Sequence, residues 1–383
     1  MAETVAELSS RLQVVVEPGV RGRLLDKGLA RGLIWRDGTL PEGAPEFSEA
    51  LSDDLLDYAH AVMALALRLR ASREGDPRLL ERAFLVAGEA IEAAVHRGEE
   101  RIDRGFHRVT AAVAFHLGRY AARAFSMLPA ATDEQNLAPT EVALVQLLRR
   151  RLNELHKVFS EWLLDPANAD GAVAAKLQAD DEFDQADAVH SVLTTSFMRG
   201  LAVFDHALTT GDSEVAEQAR ARLFATARAA QDLNAVSHWW MATLAAHLVD
   251  ELWSMSLHRQ LPGLPFGDSD HARWHEIRRG YIQCLRGGKR AAIELWPSQL
   301  AAAKRSQDLT DDLVVALPTS AGKTRIAELC ILRTLAADKR VVYVTPLRAL
   351  SAQVERDLSE SLQPLGFSVS SLYGSAGIES GDE

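Results

Sequence analysis

Gly322, Lys323 and Thr324 stand together in "ALPTSAGKTRIAEL", residues 316–329, between an apolar run and an amphipathic stretch. Those three residue types at the start of a helix can hold the terminal phosphates of a nucleotide. Backbone N–H groups at a helix N-terminus carry partial positive charge and favour an anion. A lysine ammonium adds neutralisation at the β- and γ-phosphates, and a threonine hydroxyl can hold Mg²⁺. The first glycine of the general pattern GxxxxGK[ST] is replaced here by Leu317.

Other groups could do chemistry but have a plainer reading. Asp250 and Glu251 in "HLVDELW" could hold Mg²⁺ and polarise a water, yet they precede the loop and sit in a Trp/Ala/Leu helical pattern. They are read as helix residues. His271 and His275 are spaced i, i+4, which suits a metal, but no third ligand accompanies them. The carboxylates of "ADDEFDQAD", 179–187, are read as solvated groups facing a helix dipole. Trp239 and Trp240 could stack on bases, and at helical spacing they are read as core or interface. "RLRASR" and "QLLRRRLNEL" are read as locally ion-paired helix faces.

The loop needs elements to position it. "DLVVAL" (312–317) is a buried-strand run, 324–337 a helix, "KRVVYV" (339–344) a second strand, 348–362 a second helix and "GFSVSSLY" (366–373) a third strand. That alternation predicts parallel β/α units with the phosphate loop opening the first. Upstream the texture is different. From about Glu49, helical spacing dominates: Leu51, Leu55, Tyr58, Ala59, Val62 and Leu65 fall on one stripe. Further amphipathic segments follow to about residue 255, separated by breaks such as "REGDP", "DPANADG" and "TGDS". Ala114, Gly118 and Ala122 suggest close helix approach, and no fixed repeat period survives, so an irregular bundle or solenoid is expected. "QLPGLPFGDSD", 260–270, is the best linker.

Composition is that of a globular protein: 383 residues, 47% hydrophobic and 25% charged. No stretch is long and apolar enough to span a bilayer, and no signal peptide is evident. Two cysteines, Cys284 and Cys330, form no metal pair, which points to a reducing, cytoplasmic setting. The net charge of −11 excludes a protein that coats nucleic acid along its whole length. The charge is uneven: from Arg273 onward the balance is +2, and the first 272 residues carry −13.

"ALPTSAGKT", then "VVYVTPLRALSAQ" about twenty residues on, and "LWPSQLAA" about twenty residues before it, form an ordered trio. Together they resemble the superfamily-two DEAD/DEAH-box-type helicases, closest to the Ski-like branch. The resemblance covers roughly residues 290–383, and the family's frequent Pro-Thr-x-x-Gly-Lys-Thr loop accommodates the missing first glycine. It implies ATP binding by Gln299, Pro318, Thr319, Ser320, Ala321, Gly322, Lys323 and Thr324, with Gln299 reading adenine through its paired donor and acceptor. Lys323 and Thr324 carry the catalytic roles, and Thr324 the Mg²⁺. Thr345, Pro346, Leu347 and Arg348 would contact the backbone of a DNA or RNA strand, and Gly374 a further edge.

The resulting expectation is a mainly α chain: an irregular segment (1–48), an α-helical bundle or solenoid domain (49–265), and an incomplete α/β RecA-like P-loop domain with parallel strands (266–383). The family's Asp-Glu pair and second motor domain are expected after residue 383, so the chain is read as an N-terminal piece of a longer ATP-dependent helicase, weak or inactive alone. The helical domain would recruit a protein partner. A P-loop ATPase switch, or a helical interaction scaffold with a degenerate motor, is the alternative.

Overall fold

The computed structural model describes residues 3–17, 19–34, 42–43, 47–48, 50–95, 103–261, 263–264, 269–287, 291–317 and 322–371. The chain divides into two compact units, one of Met1–Ala207 with Asp212–Glu251, the other of Leu208–Gly211 with Leu252–Glu383. The helices in order are α1 (Val5–Val16), α2 (Val20–Ile34), α3 (Leu51–Ala71), α4 (Pro77–Val95), α5 (Arg104–Leu117), α6 (Ala121–Met127), α7 (Pro139–Leu148), α8 (Leu152–Leu164) and α9 (Asp170–Leu177). They continue with α10 (Glu182–Thr210), α11 (Ser213–Asp232), α12 (Val236–Ser254), α13 (Leu257–Gln260), α14 (His271–Arg286), α15 (Pro297–Arg305), α16 (Lys323–Ala336) and α17 (Arg348–Leu362).

In the first unit the stripe Leu51, Leu55, Tyr58, Ala59, Val62 and Leu65 is buried along α3, as its spacing requires. Helix starts carry the expected caps. The Glu7 N–H donates to Thr4 Oγ1 (3.3 Å) while Glu7 Oε2 accepts from the Thr4 N–H (2.8 Å). Asp212 Oδ1 accepts from the Glu214 N–H at 2.7 Å, and Asp181 Oδ1 from the Phe183 N–H at 2.9 Å. The last of these gives part of the acidic run 179–187 its capping role.

Small residues admit close approach, with one correction. A Cβ on Gly118 would lie 3.2 Å from the Glu81 carbonyl oxygen on α4, and one on Gly88 only 2.8 Å from the Phe115 ring. Ala114 is fully buried but Ala122 is exposed. Helix α5 ends at Leu117, so Ala122 sits on α6 in a different register from Ala114 and Gly118.

Helix α12 is apolar nearly all round, and burial of Trp240, Met241, Leu244, Leu248 and Val249 follows. Glu251 on α12 is buried and pairs with Arg70 of α3 at 2.7 Å, while Asp250 lies 3.7 Å from Arg73. The Asp250–Glu251 pair is therefore spent on helix-to-helix ion pairs, and "RLRASR" supplies their partners. His271 uses its Nδ1 against the Leu264 carbonyl (2.9 Å), and no metal-binding group of three ligands exists among the described residues.

In the second unit, one core joins Trp274, Ile277 and Tyr281 of α14, Leu329 and Leu332 of α16, and Leu358 and Leu362 of α17. Burying a leucine such as Leu329 contributes about 1.5–3 kcal/mol. The expected parallel strands are not formed: among the described residues, 312–317, 339–344 and 366–371 carry no ladder, and one isolated bridge pairs Ser256 with Glu294. A strand exists only through its partner's hydrogen bonds. Exposure alternates residue by residue along 313–317 and 366–371, with Phe367 and Val369 packed on the helical core. The period of two is present, one face covered and one open. Val314, Val342 and Val344 are 88%, 86% and 83% exposed. Residues 372 and 373 of the third expected strand lie outside the described residues. No described helix is long and apolar enough to cross a membrane.

Two measurements check this packing. Glu251→Ala leaves Arg70 without its partner, and equilibrium unfolding should register a loss of about 1–3 kcal/mol. Burial pushes His116 and His247 down to about 3 and His238 to about 4. Their folded values lie below the usual 6.5, so the unfolded chain binds the extra protons and stability rises with pH across that window. The melting temperature of the chain should fall as pH is lowered from about 6.5 towards 4; a flat profile would contradict the neutral, buried state of these rings.

Candidate nucleotide-binding site

The site is built at the facing ends of two short chain reversals. Trp296 is extended, Pro297 opens α15 at its first position, and Gln299 follows in the first turn. Gln299 is buried and its carboxamide is used twice. Its Oε1 accepts from the Trp296 N–H (2.8 Å), which is half of a capping box, and its Nε2 donates to the Gly322 carbonyl (3.0 Å). One N–H and the remaining lone pair of that carboxamide stay available for a ligand. The simple expectation that the whole group reads adenine is thus narrowed: half of it fastens α15 to the loop.

Gly322 precedes α16 with φ +76°, a left-handed conformation that a side chain disfavours. A Cβ there would also lie 2.1 Å from Gln299 Nε2. Dihedral and space both demand glycine. Lys323 and Thr324 follow at the N-terminus of α16, both exposed, and the Lys323 ammonium donates to the Leu317 carbonyl at 3.1 Å. Leu317 fills the place of the missing first glycine, so the lysine tail folds back over the loop's other end. Pro318, Thr319, Ser320 and Ala321 lie outside the described residues.

The inner face of α16 is anchored by Ile326, Leu329 and Leu332. A polar cluster lies among these contacts. The Tyr281 hydroxyl of α14 donates to Glu328, and Arg325 donates both to that hydroxyl (2.6 Å) and to Glu328 Oε2 (2.5 Å). Burial, reinforced by the Glu328 carboxylate, holds the Tyr281 hydroxyl far above its usual range, so it stays protonated. These three residues were not among the sequence-derived candidates. The available signal is Glu328 itself, a carboxylate on the apolar stripe of "IAELCIL". Trp296 went unnoticed as well: it is 51% exposed, beside Gly322.

Residues 345–348 sit at the start of α17. Thr345 Oγ1 meets Ser351 Oγ and donates to the Leu347 carbonyl at 3.3 Å, while the Ser351 N–H donates to the same carbonyl at 3.1 Å. Leu347 is exposed, and Arg348 is the first helical residue. No hydrogen bond joins 345–347 to Gln299, Gly322 or Lys323 among the described residues. Gly374 lies outside them. The structure therefore brings Gln299, Gly322, Lys323 and Thr324 together and leaves the 345–348 turn as a separate helix start.

Residues 296–382 are similar to known proteins. The DEAD/DEAH box helicase family matches residues 296–382. Hachiman protein HamB from Bacillus cereus is 33% identical over 146 residues, covering 37% of this chain and 12% of HamB. That alignment is longer than the family match, so it takes in residues beyond 296–382. ATP-dependent DNA helicase Hel308 from Methanocella arvoryzae is 34% identical over 73 residues, 19% of this chain and 10% of Hel308. A chloroplastic DExH-box ATP-dependent RNA helicase, DExH15 of Arabidopsis thaliana, is 49% identical over 49 residues, 13% of this chain and 4% of that protein. The chain thus spans a small part of the length of each relative.

Gln299→Ala tests the tie between α15 and the loop. It frees the Trp296 N–H and the Gly322 carbonyl together, and the local cost is that of a lost cap, about 1 kcal/mol. Amide hydrogen exchange at Trp296 should accelerate about fivefold; unchanged protection would show that the carboxamide holds nothing.

Proposed function

With residues 296–382 matched by the DEAD/DEAH box helicase family, we propose that this chain is the nucleotide-gripping part of a superfamily-two, Ski-like ATP-dependent nucleic-acid helicase or translocase. The observation that supports the reading is the Gln299–Gly322 tie, a carboxamide with a donor and an acceptor directly behind the glycine that introduces Lys323. The cradle fits a nucleoside triphosphate with Mg²⁺. Gly322 is bare of side chain where the backbone must approach closely, and the Lys323 ammonium and Thr324 hydroxyl stand exposed at the helix start.

Lys323, now on the Leu317 carbonyl, would turn to the β- and γ-phosphates, and Thr324 would hold Mg²⁺. Thr319, Ser320 and Ala321 line the phosphates with backbone N–H groups, and Pro318, which has no N–H, shapes the turn ahead of them. Gln299 offers its remaining donor and acceptor to adenine. ATP supplies the free energy of its phosphoanhydride bond, and Mg²⁺ neutralises the phosphate charge. Thr345, Pro346, Leu347 and Arg348 hold the sugar-phosphate backbone of a DNA or RNA strand at the N-terminus of α17. Residues 266–383 act as the first RecA-like domain. Residues 49–265 are an α-helical domain that engages a protein partner, preceded by the segment 1–48.

Lys323→Ala in the full-length protein should reduce nucleic-acid-stimulated ATP hydrolysis by ~100-fold or more. An ATPase assay with and without single-stranded DNA and RNA checks it. Stimulation that survives the substitution would remove Lys323 from the phosphate site.

A further inference from the structure

A cleft of about 450 Å³ opens on the first unit between α3, α11 and α12. Two features with a plainer reading in the sequence converge there: Arg68 of "RLRASR" and Trp239 of the tryptophan pair. Phe224 and Trp239 supply aromatic walls, and Arg68, Arg220 and Arg228 supply cations. No carboxylate lines the cleft among the described residues. Arg68 and Arg220 are already paired, with Glu3 at 3.1 Å and Glu217 at 2.5 Å. Arg228 is exposed and has no ion pair or hydrogen bond among the described residues.

The polar part of the lining is more telling. His247 is 4% exposed and Thr243 8%, and neither side chain makes a hydrogen bond among the described residues. His247 meets Phe224 edge-on at 5.3 Å between ring centroids. Burial holds His247 down to about 3, so at neutral pH one ring nitrogen donates and the other accepts. A donor–acceptor pair, aromatic walls and an unpaired guanidinium at the rim describe a planar heteroaromatic ligand carrying an anion.

We propose that this cleft binds a single nucleotide, its base against Trp239 and Phe224 with its edge towards His247 and Thr243, and its phosphate on Arg228. The volume suits one small ligand. The charge of −13 on the first 272 residues opposes the tracking of a polyanion across this surface, which favours a lone nucleotide unit over an extended strand path. The source is then either the free nucleotide pool or the phosphorylated end of a strand.

The test uses the 383-residue chain carrying Lys323→Ala, which removes the other phosphate site, and calorimetric titration with AMP. Saturable binding is expected, weakened ~10-fold or more by Arg228→Glu, an exposed change that leaves the core intact. Trp239→Ala should weaken it as well. Competition by a short 5′-phosphorylated oligodeoxyadenylate, lost in the Arg228→Glu chain, assigns the ligand to a strand end; AMP binding without such competition assigns it to the free pool. Absence of saturable AMP binding, or equal binding by the Arg228→Glu chain, overturns the proposal. Because the Lys323→Ala background is used throughout, either result stands apart from the fate of the helicase reading.

Discussion

The contact between Gln299 and the Gly322 carbonyl organises the C-terminal unit's chemistry. It can form only because residue 322 lacks a side chain and turns through a left-handed conformation. With a Cβ projected 2.1 Å from the amide nitrogen, no other residue leaves room. The same carboxamide closes the first turn of α15 through Trp296. One buried side chain therefore sets the separation of two helix starts, and the positions of Lys323 and Thr324 follow from where α16 begins. The Tyr281–Arg325–Glu328 cluster fixes the other side of α16, so the lysine and threonine project from a helix held on its inner face by apolar contacts and by charge-assisted hydrogen bonds.

Much of this is readable from residue order alone, for physical reasons. The Gly-Lys-Thr step at a helix start is a local signal, since the helix dipole and the glycine conformation act within one turn. The α3 stripe is equally local, a matter of 3.6-residue spacing. Gln299 is found by its place after a proline, but its division between cap and loop depends on a residue 23 positions away and has no sequence signature. The register of Ala114, Gly118 and Ala122 fails for a similar reason: a helix end at Leu117 breaks the periodicity, and no proline announces it. The alternation in 313–317 and 366–371 follows the expected period, whereas ladder formation requires partners that a one-dimensional pattern does not identify.

The acidic helical unit and the near-neutral C-terminal part differ in how they treat charge. In the helical unit several arginines pair with carboxylates: Arg70 with Glu251, Arg123 with Glu89 and Glu92, Arg149 with Glu134. These pairs are part-buried, and they contribute mainly by leaving no charge uncompensated. The His116, His238 and His247 rings also make the unit's cohesion sensitive to acid.

The open valine faces of 312–317 and 341–344 carry a practical cost. Backbone groups without a ladder partner, flanked by β-branched side chains in water, offer a template to any neighbouring chain that presents the same feature. Mutual repulsion at a charge of −11 keeps such copies apart in dilute buffer. Added electrolyte shortens the reach of that repulsion to a few ångströms at molar concentration, so salting a concentrated sample invites intermolecular sheet growth from these strips before the helices themselves loosen.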